Sequence, residues 1–181
     1  MKHLVEPIKQ KNDIKVIEEY LKNKNLRNRL IFAFGINTGL RVSDILNLNV
    51  GDVLNKTHVK IKEKKTGKLK IFPLNNKIQN LLKDYLKNKN ENEPLFIGKK
   101  KKRLNRSQVY RFLNEACKEL GLKENIGTHT MRKTFGFFFY KQFNDVALLQ
   151  KILNHSTPSI TLRYIGIAQE EIDASYNLFE L

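Results

Sequence analysis

Cysteine is almost missing from this sequence. Cys117 is the only one in 181 residues, so no internal disulfide framework holds the fold. Its setting, NEACKELG, puts it on the apolar face of a helix, as packing. Long hydrophobic runs are missing too: LIFAFGI (30–36) and FGFFFY (135–140) are far too short to span a bilayer. The opening residues, MKHLVEPIKQKND, show no apolar run leading to a small-residue cleavage site, and hence no secretory signal. There is no internal repeat, no glycine-rich phosphate loop and no G-x-S-x-G elbow. The histidines lie far apart, without the carboxylates or thiolates of a metal site. These absences describe a cytoplasmic protein with no membrane partner, no metal and no cofactor.

Acidic residues are the next shortage. Asp and Glu number 18 against 34 Lys and Arg, a formal charge of +16. So large an excess calls for a polyanionic partner, since self-repulsion would otherwise be a cost without a benefit. With the membrane set aside, that partner is nucleic acid. The 40% of hydrophobic residues is enough to bury a core, which excludes global disorder. The length suits one domain.

The hydrophobic period sets the order of elements. NDIKVIEEYLKNK (12–24) reads as a helix capped by Asn12 or Asp13, and LRNRLIFAFGINTG as a buried helix closed by Gly39. RVSDILNL (41–48) gives one or two further turns. HVKIKE (58–63) and LKIFPL (69–74) alternate around the turn KKTGK, a β-hairpin with a basic tip. Residues 75–89 return to helical spacing, PLFIGK suggests a short edge strand, and SQVYRFLNEACKELG is an amphipathic helix. Further helices follow in HTMRKTFGFFFY, DVALLQKILNH and PSITLRYI, with Pro158 in a first turn. A last one covers about 168–178. The fold class is α+β, mainly α-helical with a small antiparallel β-hairpin.

Polar residues gather at the ends of these elements. Arg41 follows the Gly39 cap, Lys65 sits in the hairpin turn, and His129 and Arg132 open a helix three positions apart. His155 ends another helix, and Tyr164 lies just beyond it. Two arginines, a lysine, two histidines and a tyrosine suit metal-free phosphoryl transfer. Guanidinium forks match phosphate oxygens and cannot lose their charge. A tyrosine can attack as a phenolate, a histidine can take its proton, and a lysine can protonate a departing alkoxide.

TGLRVSDILNL, KKTGKLKIFPL, HTMRKTF and LLQKILNHSTPSITLRYIGI, in that order, resemble the catalytic domain of the tyrosine recombinases, or phage-type integrases. The resemblance covers nearly the whole chain. It implies catalytic roles for Arg41, Lys65, His129, Arg132 and His155, with Tyr164 as the nucleophile that forms a 3′-phosphotyrosyl bond and frees a 5′-hydroxyl. It further implies double-stranded DNA as partner, four protomers assembled on two sites, and a monomer when free. Two positions depart from the family pattern: Asn154 stands where Leu-Gly-His is usual, and Lys133 where a histidine often follows the second arginine. Residues 1–181 then form a catalytic domain with no separate N-terminal core-binding domain visible. Short members such as the fimbrial inversion recombinases manage with that domain alone, and a trimmed chain is the alternative.

Each residue also has a plainer reading. Arg41 could pair with Asp44, which is read as its positioner. Lys65 lies among Lys62, Lys64, Lys68 and Lys70, with Lys64 the rival for its role. His129 could cap a helix, and His155 could complement a helix dipole. Tyr140 and Tyr176 read as packing, and Phe135, Phe137, Phe138 and Phe139 as core. The run KKKKR (99–103) touches phosphates with little sequence discrimination. The C-terminal helix, with Ile172, Tyr176, Leu178 and Phe179, packs on its own domain or, by the resemblance, on a neighbouring protomer. Two other functions use the same residues: a non-catalytic DNA-binding regulator, and strand relaxation like that of a type IB topoisomerase.

Overall fold

A computed structural model describes residues 5–98, 101–122, 126–167 and 176–180. Among them the chain forms helices α1 (Lys11–Lys24), α2 (Leu26–Thr38) and α3 (Val42–Ile45), and a 3₁₀ turn at Val50–Asp52. Strands β1 (His58–Lys62) and β2 (Leu69–Pro73) come next, then α4 (Asn76–Tyr85), α5 (Arg106–Glu119), α6 (Thr130–Phe143), α7 (Val146–Leu153) and α8 (Pro158–Ile165). The strands pair antiparallel with His58 opposite Pro73 and Lys62 opposite Leu69. The α+β class is therefore as expected, and so is the hairpin. PLFIGK is not a strand: Pro94 and Ile97 make only isolated bridges, to Asn49 and Arg103.

Helix α2 is the centre of the molecule. Leu30, Ile31, Phe32, Ala33 and Phe34 are consecutive and all fully buried, as in a helix surrounded by neighbours on every side. Helices α1, α4 and α6 pack around it. Its ends match the sequence: the Asn25 side chain accepts from the Asn28 N–H, and Gly39 closes it in the left-handed conformation at φ 61°. That reversal delivers Leu40 to the core and Arg41 to the N-terminus of α3. Helix α1 begins one residue earlier than expected. Gln10 occupies the cap position without a side-chain bond, so neither Asn12 nor Asp13 caps it.

A second, smaller core lies among α6, α7 and α8. Phe137, Leu149, Leu153 and Ile165 are buried there, with Phe135, Phe138, Phe139, Tyr140 and Tyr164 packed around them. The phenylalanines are thus less deeply placed than their run suggests, since only Phe137 is buried. The continuous buried stretch of α6 is its largely polar start, Thr130 to Thr134, followed only by Gly136 and Phe137. Residues 168–175 and 181 lie outside the described residues, and with them most of the expected last helix. Tyr176, read as packing, is 79% exposed, and Leu178 and Phe179 are exposed as well.

Candidate active site

Five segments converge where α2, the hairpin, α6, α7 and α8 meet. A cleft of about 420 Å³ is lined by Arg41, Val42, Ser43, Lys64, Lys65, Arg106, Thr128 and His129. Both hairpin lysines face it and both are exposed, so the cleft does not discriminate between Lys64 and Lys65. Arg106 carries no motif that marks it in the sequence. It opens α5 and adds another cation to the wall.

Arg132 is buried at 2% exposure. Its Nη1 donates to the Gly39 carbonyl at 2.6 Å and its Nη2 to the Leu153 carbonyl. One guanidinium thereby ties the cap of α2 to the end of α7, which explains why Arg41 and His155, so distant in sequence, share a site. A guanidinium carries five N–H donors, so three remain. Burial lowers its pKa, and Tyr164 counters that shift.

Tyr164 and His129 are neighbours. Tyr164 Oη lies 3.2 Å from His129 Nδ1, and the Arg132 guanidinium is close enough to the same hydroxyl to pull its pKa down. Since Arg132 can only donate, the phenolic proton is the one available to His129 Nδ1. Burial pushes the phenol pKa up, against the pull of Arg132 and Arg41. Burial also lowers the pKa of His129, helped by Arg106, Arg132, Arg41 and Lys133. A neutral imidazole is what a proton acceptor must be. The Lys133 ammonium sits 5.2 Å above the Tyr164 ring, and the His155 ring meets the same ring edge-on at 4.9 Å.

His155 is not the end of α7 but lies beyond it. The helix stops at Leu153, and Asn154 takes the left-handed cap conformation at φ 53°. His155 Nδ1 is 3.1 Å from Thr161 Oγ1, whose own proton goes to the Thr157 carbonyl. Thr161 can then only accept, so Nδ1 carries a proton and Nε2 gains one only in the imidazolium. Burial, then Arg132 and Arg41, hold the His155 pKa down to about 4. A phosphate oxyanion against Nε2 would oppose that shift and favour the protonated, donating form.

Arg41 is held chiefly by Glu63, which the sequence does not point to. Its Nη1 is 2.9 Å from Glu63 Oε1 and 3.9 Å from Asp44 Oδ2. Asp44 thus contributes as expected but is the more distant partner, and its Oδ1 also accepts from the Lys64 N–H at 2.9 Å. Glu63 is buried at 1% exposure. Burial alone would raise its pKa, but hydrogen bonds from Thr66 and Asn154 and the charge of Arg41 outweigh it and hold the carboxyl to about 2. One sign of it exists in the sequence, where Glu63 is the one acid in KIKEKKTGK. Among the described residues, no three His, Cys, Asp or Glu side chains gather as a metal site would require.

Residues 9–171 match the Phage integrase family. The chain belongs to that family, the tyrosine recombinases. It is 47% identical over 178 residues to the probable integrase/recombinase YoeC of Bacillus subtilis, covering 98% of both chains. It is 32% identical to tyrosine recombinase XerH of Campylobacter jejuni, over 83% of this chain and 44% of that one. Against XerA of Pyrococcus furiosus the identity is 27%, over 88% of this chain and 57% of that one. The chain thus spans YoeC almost completely but about half the length of the other two. Among solved structures, a XerA recombinase matches at TM-score 0.79 and 22% identity, over 97% of this chain and 66% of that one. A lambda integrase tetramer bound to a Holliday junction matches at 0.72 and 18%, over 91% and 49%. These likenesses agree with the arrangement of helices and hairpin, and no helix among the described residues is long and apolar enough to cross a membrane.

Proposed function

We propose that this tyrosine recombinase cleaves and rejoins double-stranded DNA at a specific site through Tyr164. The observation that carries the proposal is the Tyr164–His129 contact at 3.2 Å, with the Arg132 charge beside it. In it, the proposed nucleophile and base are in contact beside the anion-stabilising group. As Tyr164 Oη attacks the phosphorus, His129 Nδ1 takes the phenolic proton. Arg41, the free donors of Arg132 and protonated His155 stabilise the charge that grows on the non-bridging oxygens. Lys65 protonates the departing 5′-oxygen, leaving a 3′-phosphotyrosyl bond and a free 5′-hydroxyl. Attack by the 5′-hydroxyl of a second strand reverses the step. One phosphodiester is exchanged for another, so bond energy is conserved without ATP, and fixed guanidinium charges take the role that metals play elsewhere.

Four protomers on two sites are part of this proposal, supported by likeness to a lambda integrase solved as a tetramer bound to a Holliday junction, and we propose a monomer for the free protein. The exposed Tyr176, Leu178 and Phe179 support docking of the C-terminal segment on a neighbouring protomer, and a cytoplasmic setting fits a DNA substrate. A truncation after Ile167 that left synapsis and cleavage unchanged would remove the docking role.

The decisive test uses a nicked suicide duplex carrying the natural site. The expected result is a denaturation-resistant protein–DNA adduct that is lost in Tyr164→Phe while DNA binding survives. Binding without an adduct would make the protein a regulator. Relaxation without strand exchange would make it a topoisomerase.

A further inference from the structure

From the contacts around Asn154 we infer that its side chain is a positioning device, locking the hairpin that carries Lys65 to the junction that carries His155. The inference rests on the function proposed above. Asn154 occupies a left-handed backbone conformation (φ 53°, ψ 47°), which glycine would adopt without any side chain. What asparagine adds is a pair of polar atoms, and both are engaged across the molecule. Its Nδ2 donates to Glu63 Oε2 at 2.9 Å and approaches Thr66 Oγ1 at 3.4 Å. Its Oδ1 accepts from Lys68 Nζ at 3.1 Å.

Two of these partners, Glu63 and Thr66, lead to proposed catalytic groups. Glu63 Oε1 holds Arg41 at 2.9 Å. Thr66, the residue after Lys65, donates to Glu63 Oε2 at 2.7 Å, and the Gly67 N–H closes the same turn on the Glu63 carbonyl. On the other side, the His155 N–H bonds the Gln150 carbonyl, so His155 follows the Asn154 reversal directly. Lys70 Nζ adds a parallel tie from β2 to the Ile152 carbonyl at 2.9 Å. The strands are anchored in the core by Val59 and Phe72, and these ties hold the basic tip against repulsion from its neighbouring cations. The Asn154 amide fixes its carboxylate, and through it the separation of Lys65, Arg41 and His155.

Two substitutions separate the lock from the backbone requirement. Asn154→Gly keeps the left-handed conformation and deletes both polar atoms. Asn154→Asp is isosteric and tolerates that conformation, but turns the donor facing Glu63 into a second carboxylate. Adduct formation at saturating DNA should slow by roughly tenfold in Asn154→Gly, the scale of removing a hydrogen bond to a charged group. It should slow further in Asn154→Asp, where two carboxylates face each other and the thermal midpoint also falls, while DNA affinity stays near wild type in both variants. In Asn154→Gly, hydrogen exchange at the Gly67 and Lys64 amides should accelerate along with that at His155, although the hairpin is untouched. Wild-type rates in both variants, or faster exchange confined to His155, would overturn the lock. The exchange measurement needs no DNA, so it still decides the matter if the wild type forms no adduct and the functional reading fails instead.

Discussion

At the scale of single residues, the site is a set of titrating groups held away from their ordinary values. His155 is held to about 4 against the usual 6.5, and burial lowers His129 as well. Between those values an unfolded chain binds protons that the folded one refuses, so stability falls as pH drops from about 6.5 to about 4. Glu63, held at about 2 against 4.5, adds a second loss as pH falls from about 4.5 toward 2. Urea midpoints across this range should therefore decline in two stages. His155→Gln should flatten the upper stage and Glu63→Gln the lower. A midpoint independent of pH from 6.5 to 4 would mean that the histidines are not held neutral.

At the scale of elements, the position of Tyr164 is set by how closely α6 approaches α8. A Cβ on Gly136 would lie 2.6 Å from Ile165 Cγ2, and Ile165 directly follows Tyr164, the proposed nucleophile. Gly136→Ala should push α8 outward and lengthen the Tyr164–His129 contact. Over-packing of this kind costs about 1–3 kcal/mol of stability. Adduct formation should fall by roughly tenfold or more, because small misplacements of reacting groups are costly, while DNA affinity is retained. Full activity in Gly136→Ala, measured by adduct rate, would show that α8 need not sit so close.

The same elements show what the sequence can and cannot disclose. Arg41, His129, Arg132 and Tyr164 sit at helix ends marked by glycine, proline and short polar motifs, and motif order brings them out. The hairpin is legible from its alternation. Helix α6 misleads, because a run of phenylalanines looks more buried than TMRKT. Burial there is decided by Arg132, whose carbonyl partners Gly39 and Leu153 are 93 and 21 residues away. Glu63 and Asn154 meet across 91 residues. Neither forms a local pattern, so only the folded chain joins them.

At the scale of the whole molecule, a charge of +16 governs how DNA is met before any chemistry. Neutralising a lysine that touches a phosphate should reduce the salt slope of binding by about 0.9. Lys101→Gln with Lys102→Gln should weaken binding alike on specific and unrelated duplexes, and should lower that slope by up to roughly twice this amount. An unchanged slope would take the basic run out of the interface.

The central claim is that one hydroxyl, Tyr164 Oη, becomes the bond between protein and DNA. Digesting a trapped adduct with nuclease and protease, then sequencing the nucleotide-bearing peptide by mass spectrometry, tests it directly. The nucleotide is expected on Tyr164 in the peptide containing TLRYIGI. Finding it on Tyr140, Tyr176 or another side chain would contradict that claim.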